Sequence, residues 1–179
     1  WAFAIFDMSK NIPFLSRDRF GIKPLYYSWE NGRFSFASEA KALISTGLAN
    51  PKANITASLE FILFGSNSDS SGNLFSEIKT LTPGYNLVFN ITEQKINSSK
   101  FYNLEKGISD NKNSFDITNS SKYFFDLFSE TLKIHLRSDV PVGSCLSGGL
   151  DSSSIVAVAS RILGMEQIKT FTASFPGLN

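Results

Sequence analysis

Seven consecutive residues, Ser147-Gly148-Gly149-Leu150-Asp151-Ser152-Ser153, are of the types from which an anion site is built. They stand between an apolar run, Val140 to Leu146, and a helix-like stretch that begins near Ser152. That order predicts a strand, a glycine-rich turn and a helix start. In such a unit successive backbone N–H groups point into the turn, and the helix N-terminus adds partial positive charge. Gly148 and Gly149 carry no Cβ, so both tolerate positive φ and the close approach of a phosphate. Ser147, Ser152 and Ser153 supply hydroxyl donors, and Asp151 supplies a carboxylate able to hold Mg2+ against phosphate oxygens. The competing use of the same residues is a plain Ser/Gly turn, with Asp151 and Ser152 as helix caps. A second candidate is Asp18, in Arg17-Asp18-Arg19-Phe20-Gly21-Ile22-Lys23-Pro24-Leu25-Tyr26-Tyr27. A carboxylate at a strand end can receive an α-ammonium through a charge-assisted hydrogen bond. It can equally serve as a turn former.

The phosphate-loop pattern with a terminal lysine is excluded. That pattern needs Lys after its last glycine to reach the outer phosphates. Here Leu150 follows Gly149, and the next lysine is Lys169. The heptapeptide instead resembles the S-G-G-x-D-S pyrophosphate loop of ATP pyrophosphatases, which cleave ATP between the α and β phosphates. The Arg17–Tyr27 segment is followed by Phe36-Ala37-Ser38-Glu39-Ala40-Lys41-Ala42-Leu43, then by Leu81-Thr82-Pro83-Gly84 and Ser138-Asp139-Val140-Pro141-Val142-Gly143-Ser144-Cys145-Leu146. In that order these segments resemble the class II, N-terminal-nucleophile glutamine amidotransferase domain in the form fused to asparagine synthetases. The resemblance spans the chain except for the Asn/Ser-rich stretches near 66–73 and 107–121.

The resemblance implies a fold and a function. The fold is α+β followed by α/β: the C-terminal part of an Ntn-type αββα amidotransferase sandwich, then the start of a parallel-sheet PP-loop synthetase domain. The domains expected are 1–104, a linker 105–118, and 119–179. The function is glutamine-dependent asparagine synthesis, in which ATP adenylates aspartate and ammonia from glutamine displaces AMP. The implied ATP-binding residues are Leu146, Ser147, Gly148, Gly149, Asp151, Ser152 and, from the neighbouring strand, Ala173. Asp151 is the implied Mg2+ ligand and Asp18 the implied glutamine-binding residue. The family's nucleophile is the first residue of its mature chain, so no catalytic residue is assigned here. The 179 residues read as an internal piece of a longer protein, expected to be inactive alone, with a homodimer as one arrangement of the whole. The alternative keeps the fold and changes the acceptor: a β-lactam synthetase or peptide cyclase type of enzyme acting on another carboxylate. Other ATP pyrophosphatases lack the Arg17–Tyr27 segment, and a non-catalytic module would not need an intact loop.

Composition agrees with small-molecule chemistry. Seventeen basic and sixteen acidic residues leave a net charge of +1, without a basic run, so nothing favours nucleic acid. No apolar stretch approaches the roughly 18–20 residues of a membrane span. One cysteine excludes an internal disulfide framework and suits a cytoplasmic protein. The sole histidine, His135, excludes His-based metal clusters and Ser–His–Asp triads within the chain.

The elements that must position these residues follow from periodicity and turn chemistry. Trp1–Asp7, Ile12–Ser16, Leu25–Trp29 and Arg33–Ala37 read as strands, with Trp1–Asp7 buried and Asn31-Gly32 marking a hairpin. Helices are expected from Ser38 to Ser45, closed by Gly47, and from Thr56 to Phe64. A polar loop is expected over 65–73, and strands over Asn86–Asn90 and Lys95–Tyr102. A long helix is expected over Ser120–Arg137, burying Phe124, Leu127, Phe128, Leu132 and Leu136 on one face. Val142–Leu146 is the strand that feeds the loop and places Cys145 in a core. Ser152–Leu163 is its helix, closed by Gly164, and Ile168–Ser174 the next parallel strand.

Overall fold

A computed structural model describes residues 1–65, 72–110, 119–162 and 168–175. The chain forms two compact units, Trp1–Asp110 and Asn111–Asn179.

The first unit contains two antiparallel sheets. Strands β1 (Ala2–Asp7), β2 (Ile12–Arg17), β6 (Tyr85–Asn90) and β7 (Lys95–Lys100) form one, in the order β1-β2-β6-β7. Strands β3 (Tyr26–Glu30), β4 (Arg33–Ala37) and β5 (Lys79–Thr80) form the other, in the order β4-β3-β5. Strict alternation in β2 and β6 turns Leu15, Leu87 and Phe89 toward the second sheet, where they meet Leu25, Leu81, Tyr27 and Phe34. The Phe34 and Phe89 rings stack at 4.6 Å, which locks the two layers together. A second cluster, Leu43, Ala49 and Ile78, lies with Tyr26 and Ala37 beneath the helix α1 (Ala40–Ser45). The hairpin forms as its turn residues require: Asn31 and Gly32 take φ of 50° and 73°, and Glu30 pairs with Arg33. Helix α2 (Ile55–Phe64) starts on Asn54, whose side chain accepts from the Ala57 N–H, and ends on Gly65 at φ 72°.

The second unit holds helix α4 (Ser120–His135), strand β8 (Gly143–Cys145), helix α5 (Leu150–Ile162) and strand β9 (Lys169–Phe171). β8 and β9 pair in parallel, as the crossover through α5 demands. Helix α5 packs on both β8 and α4, burying Leu132, Val158 and Ala159.

Several expectations are corrected. Among the described residues β1 pairs with β2 alone, at the edge of its sheet, and Phe3 and Ile5 are 40% and 57% exposed rather than buried. The aromatic stripe of α4 packs only in its C-terminal half. Leu132 is buried, whereas Phe124 and Leu127 are 67% and 54% exposed. Cys145 is exposed, because the parallel sheet has two strands among the described residues and no layer covers that face. Part of the stretch read as linker is a helix, α3 (Leu104–Asp110), which interior Gly107 did not suggest. Strand β5, two residues long, was not anticipated. Most of the 65–73 loop, linker residues 111–118 and Gly164 lie outside the described residues.

Candidate functional site

The loop after β8 is assembled from contiguous chain. The Leu146 N–H donates to Phe171 O at 2.9 Å, continuing the parallel ladder by one residue. Beyond Leu146 the chain turns through Ser147, Gly148 and Gly149 and enters α5 at Leu150. The Ser152 hydroxyl organises the turn. It accepts from the Ser147 N–H at 3.3 Å, lies 3.1 Å from Ser147 Oγ and donates to Gly149 O at 3.2 Å. The Ser153 N–H donates to the same Gly149 carbonyl at 3.1 Å. With the turn closed in this way, the N–H groups of Gly148, Leu150, Asp151 and Ser152 have no acceptor among the described residues. Four open donors at a helix start, reinforced by the helix dipole, make an anion receptor. It sits at the carboxyl ends of two parallel strands, where open α/β sheets bind their ligands.

The two glycines have different reasons. Gly148 takes φ +81°, in the left-handed region that L side chains avoid, and a Cβ on it would meet nothing within 4 Å. Gly149 has no positive φ, and its Cβ would make an ordinary 3.5 Å contact with Ser147 Oγ. The expectation that both serve the backbone through positive φ is therefore corrected for Gly149, where only the space above the loop is at stake. Gly148→Ala should cost about 1 kcal/mol of stability through backbone strain. Gly149→Ala should leave the melting temperature within about 2 °C and still weaken ATP binding in the full-length protein. Thermal melts beside ATP titrations check the pair; a large stability loss in Gly149→Ala would refute the assignment. Gly143, upstream, has a reason invisible in the sequence. A Cβ there would lie 2.7 Å from Phe171 Cε2 and 3.0 Å from Lys169 O, so glycine lets β9 lie close against β8.

Asp151 is exposed, and its carboxylate has no hydrogen bond or ion pair among the described residues. No group of three potential metal-ligating side chains occurs among those residues. A lone carboxylate beside an anion receptor fits Mg2+, which is commonly held by one or two carboxylates with the rest of its shell from phosphates and water. Ala173 follows β9 and is exposed. The Thr172 hydroxyl donates to Leu146 O at 2.8 Å, so the chain around Ala173 is fastened to the base of the loop. Leu146, the loop and Ala173 thus occupy one end of one sheet.

Asp18 is in a different situation. The residue is 6% exposed, and its carboxylate accepts from the N–H groups of Phe20, Ile22 and Lys23 at 3.0–3.1 Å and from Trp1 N at 3.3 Å. Burial would raise its pKa, but the N–H donors of Lys23, Ile22 and Phe20 hold it far below the ordinary carboxylate range. The adjacent Arg17 does the converse job. Its guanidinium donates to the carbonyls of Lys23, Leu81 and Gly21. The Leu81–Gly84 turn joins the same knot, since the Gly84 N–H donates to Asp18 O and Pro83 abuts Gly21. The two motifs read separately along the chain are one structural assembly. In it the Asp18 carboxylate braces a turn, and a glutamine-binding role for it enters only as a proposal.

A cavity of about 740 Å³ lies elsewhere in the first unit, lined by Tyr26, Tyr27, Asn54, Phe75 and Lys79 among others. Arg17 reaches it, but Asp18 does not line it. Its Asn54, Asn73 and Thr80 side chains are hydrogen-bonded to one another or to backbone.

Comparison with known proteins gives the chain a class. Residues 1–102, more than half the chain, match the family model of the glutamine amidotransferase domain, and the chain belongs to that family. Residues 124–179 match the asparagine synthase model, which contains the loop and Ala173. Among relatives, a Methanocaldococcus jannaschii protein provisionally named asparagine synthetase (glutamine-hydrolyzing) 2 is 36% identical over 180 residues, covering 99% of this chain and 34% of its own length. Asparagine synthetases (glutamine-hydrolyzing) 3 and 2 of Bacillus subtilis are 34% and 32% identical, over 89% and 96% of this chain and 25% and 23% of theirs. The chain therefore spans about a third or less of the relatives it matches. No helix among the described residues is long and apolar enough to cross a membrane.

Proposed function

We propose that the whole protein is a glutamine-dependent asparagine synthetase, with the C-terminal part of an Ntn-type amidotransferase sandwich over residues 1–104, a linker over 105–118, and the start of a PP-loop synthetase domain over 119–179. The observation that carries this reading is the fan of four open N–H donors at the carboxyl ends of β8 and β9, in a chain whose first 102 residues match the amidotransferase family.

The resemblance to asparagine synthetases supplies the reaction that these residues would serve. Glutamine and water give glutamate and ammonia. An oxygen of the aspartate side-chain carboxylate attacks the α-phosphorus of ATP, and pyrophosphate leaves with the α–β bridging oxygen. Ammonia then attacks the acyl carbon, AMP departs, and asparagine forms with loss of a proton. The N–H groups of Gly148, Leu150, Asp151 and Ser152 stabilise the charge that moves onto pyrophosphate. Gly149 keeps the surface over which the phosphates pass free of side chains. Leu146 and Ala173 flank the nucleoside at the strand ends. Mg2+, held by Asp151 and the phosphates, would share the developing charge. Asp18 is proposed as an anchor for the glutamine ammonium.

Aspartate-dependent exchange of labelled pyrophosphate into ATP by the full-length protein tests the reading. Exchange that ignores aspartate and responds to another carboxylate would replace it with the cyclase or amide-ligase alternative.

A further inference from the structure

We propose that Thr172 is a positioning residue for ATP, whose hydroxyl ends the β8–β9 ladder one residue early and so frees the backbone of Ala173; this rests on the ATP site proposed above. In a parallel pair, a residue that donates its N–H to one partner residue accepts from the N–H two positions further along the partner. Leu146 donates to Phe171 O, so the ladder would continue with the Ala173 N–H donating to Leu146 O. It does not. The Thr172 side chain takes that acceptor instead, at 2.8 Å, and the Ala173 N–H has no acceptor among the described residues.

The substitution has two consequences. It satisfies the Leu146 carbonyl, so the strand end entering the loop stays fixed. It also leaves the Ala173 N–H, at the strand end where a nucleoside would lie, unbonded to β8. Thr172 itself is exposed at the sheet end, outside the cores of the unit. A hydroxyl in that place is not explained by packing. A backbone N–H in its stead would zip the two strands together.

The test uses the full-length protein and aspartate-dependent ATP–pyrophosphate exchange, comparing Thr172→Val, which keeps the shape, with Thr172→Ser, which keeps the hydroxyl. Thr172→Val is expected to raise the ATP KM roughly three- to tenfold, the effect of one neutral hydrogen bond. Its kcat should change less than about twofold and its preference for ATP over GTP should fall, while glutamine hydrolysis is unchanged. Thr172→Ser is expected to match the wild type. If Thr172→Val melts early, Thr172→Ala read against Thr172→Ser makes the same comparison. A normal KM in the hydroxyl-free variant overturns the inference, and so does equal damage in the serine variant, which would show that the methyl matters. An absence of exchange in the wild type would be a different failure, that of the ATP site itself.

Discussion

Asp151→Asn in the full-length protein is expected to lower ATP–pyrophosphate exchange and asparagine formation by roughly 10²–10³, the loss seen when one preorganised electrostatic stabiliser of a transition state is removed. Glutamine hydrolysis should be spared. The magnitude follows from how little else at the loop carries charge. The receptor consists of backbone N–H groups and neutral hydroxyls, and Asp151 is its one carboxylate. Without a divalent ion that carboxylate would repel a triphosphate; its presence makes sense as a ligand for a cation shared with the phosphates. Asparagine preserves the size and one oxygen but not the charge, so folding should be unaffected: Asp151 is exposed and braces nothing among the described residues. The checks are the exchange rate at saturating and limiting Mg2+, with a thermal melt as control. Partial rescue by raised Mg2+ would fit a weakened ligand. Unchanged exchange would remove both the phosphate and the metal role.

How much of this was legible in the sequence depends on how local each feature is. The loop was, because its strand, turn, donors and helix come from one contiguous stretch, Gly143 to Ile162. The Asn31-Gly32 hairpin and the helix end at Gly47 are legible for the same reason: positive φ is a property of single residues. The Arg17–Asp18 knot was not. Arg17 bonds Leu81 O across 64 positions, and the Asp18 carbonyl receives the Gly84 N–H. No local rule couples those segments. Gly143 was quoted as part of a motif, but its cause is the Phe171 ring on the next strand. Burial was the least legible property. Phe3, Ile5, Phe124 and Leu127 have the periodicity of core residues and are exposed, because periodicity tells which face is apolar and not whether another layer covers it.

Asp18→Ala is expected to destabilise the first unit by about 3 kcal/mol or more. Each hydrogen bond to a charged group contributes roughly 1.5–3 kcal/mol, and three backbone N–H groups lose their acceptor together. For a unit of this size that is a fall of roughly 10 °C or more in melting temperature. The turn from Arg19 to Lys23 would loosen, and with it the contacts to Leu81 and Gly84 that join it to the second motif. Acid should act in the same direction. The folded-state pKa of Asp18 lies below its unfolded value, so the unfolded chain binds the extra proton first. The stability Asp18 contributes is therefore complete above about pH 4, the ordinary carboxylate value, and is lost as pH falls below it. Asp18→Asn should flatten that acid limb and lower stability at neutral pH. The bracing role and the glutamine-anchor role separate cleanly by experiment. Bracing predicts that glutamine-dependent and ammonia-dependent synthesis decline in step with the melting temperature. Anchoring adds a glutamine KM raised roughly 10- to 150-fold, the affinity equivalent of one charge-assisted contact, beyond any decline in ammonia-dependent synthesis. One carboxylate can do both, since the N–H groups of its own turn fix the oxygens that would receive the ammonium, so the expected outcome is a lowered melting temperature together with a glutamine KM raised beyond any loss of ammonia-dependent synthesis.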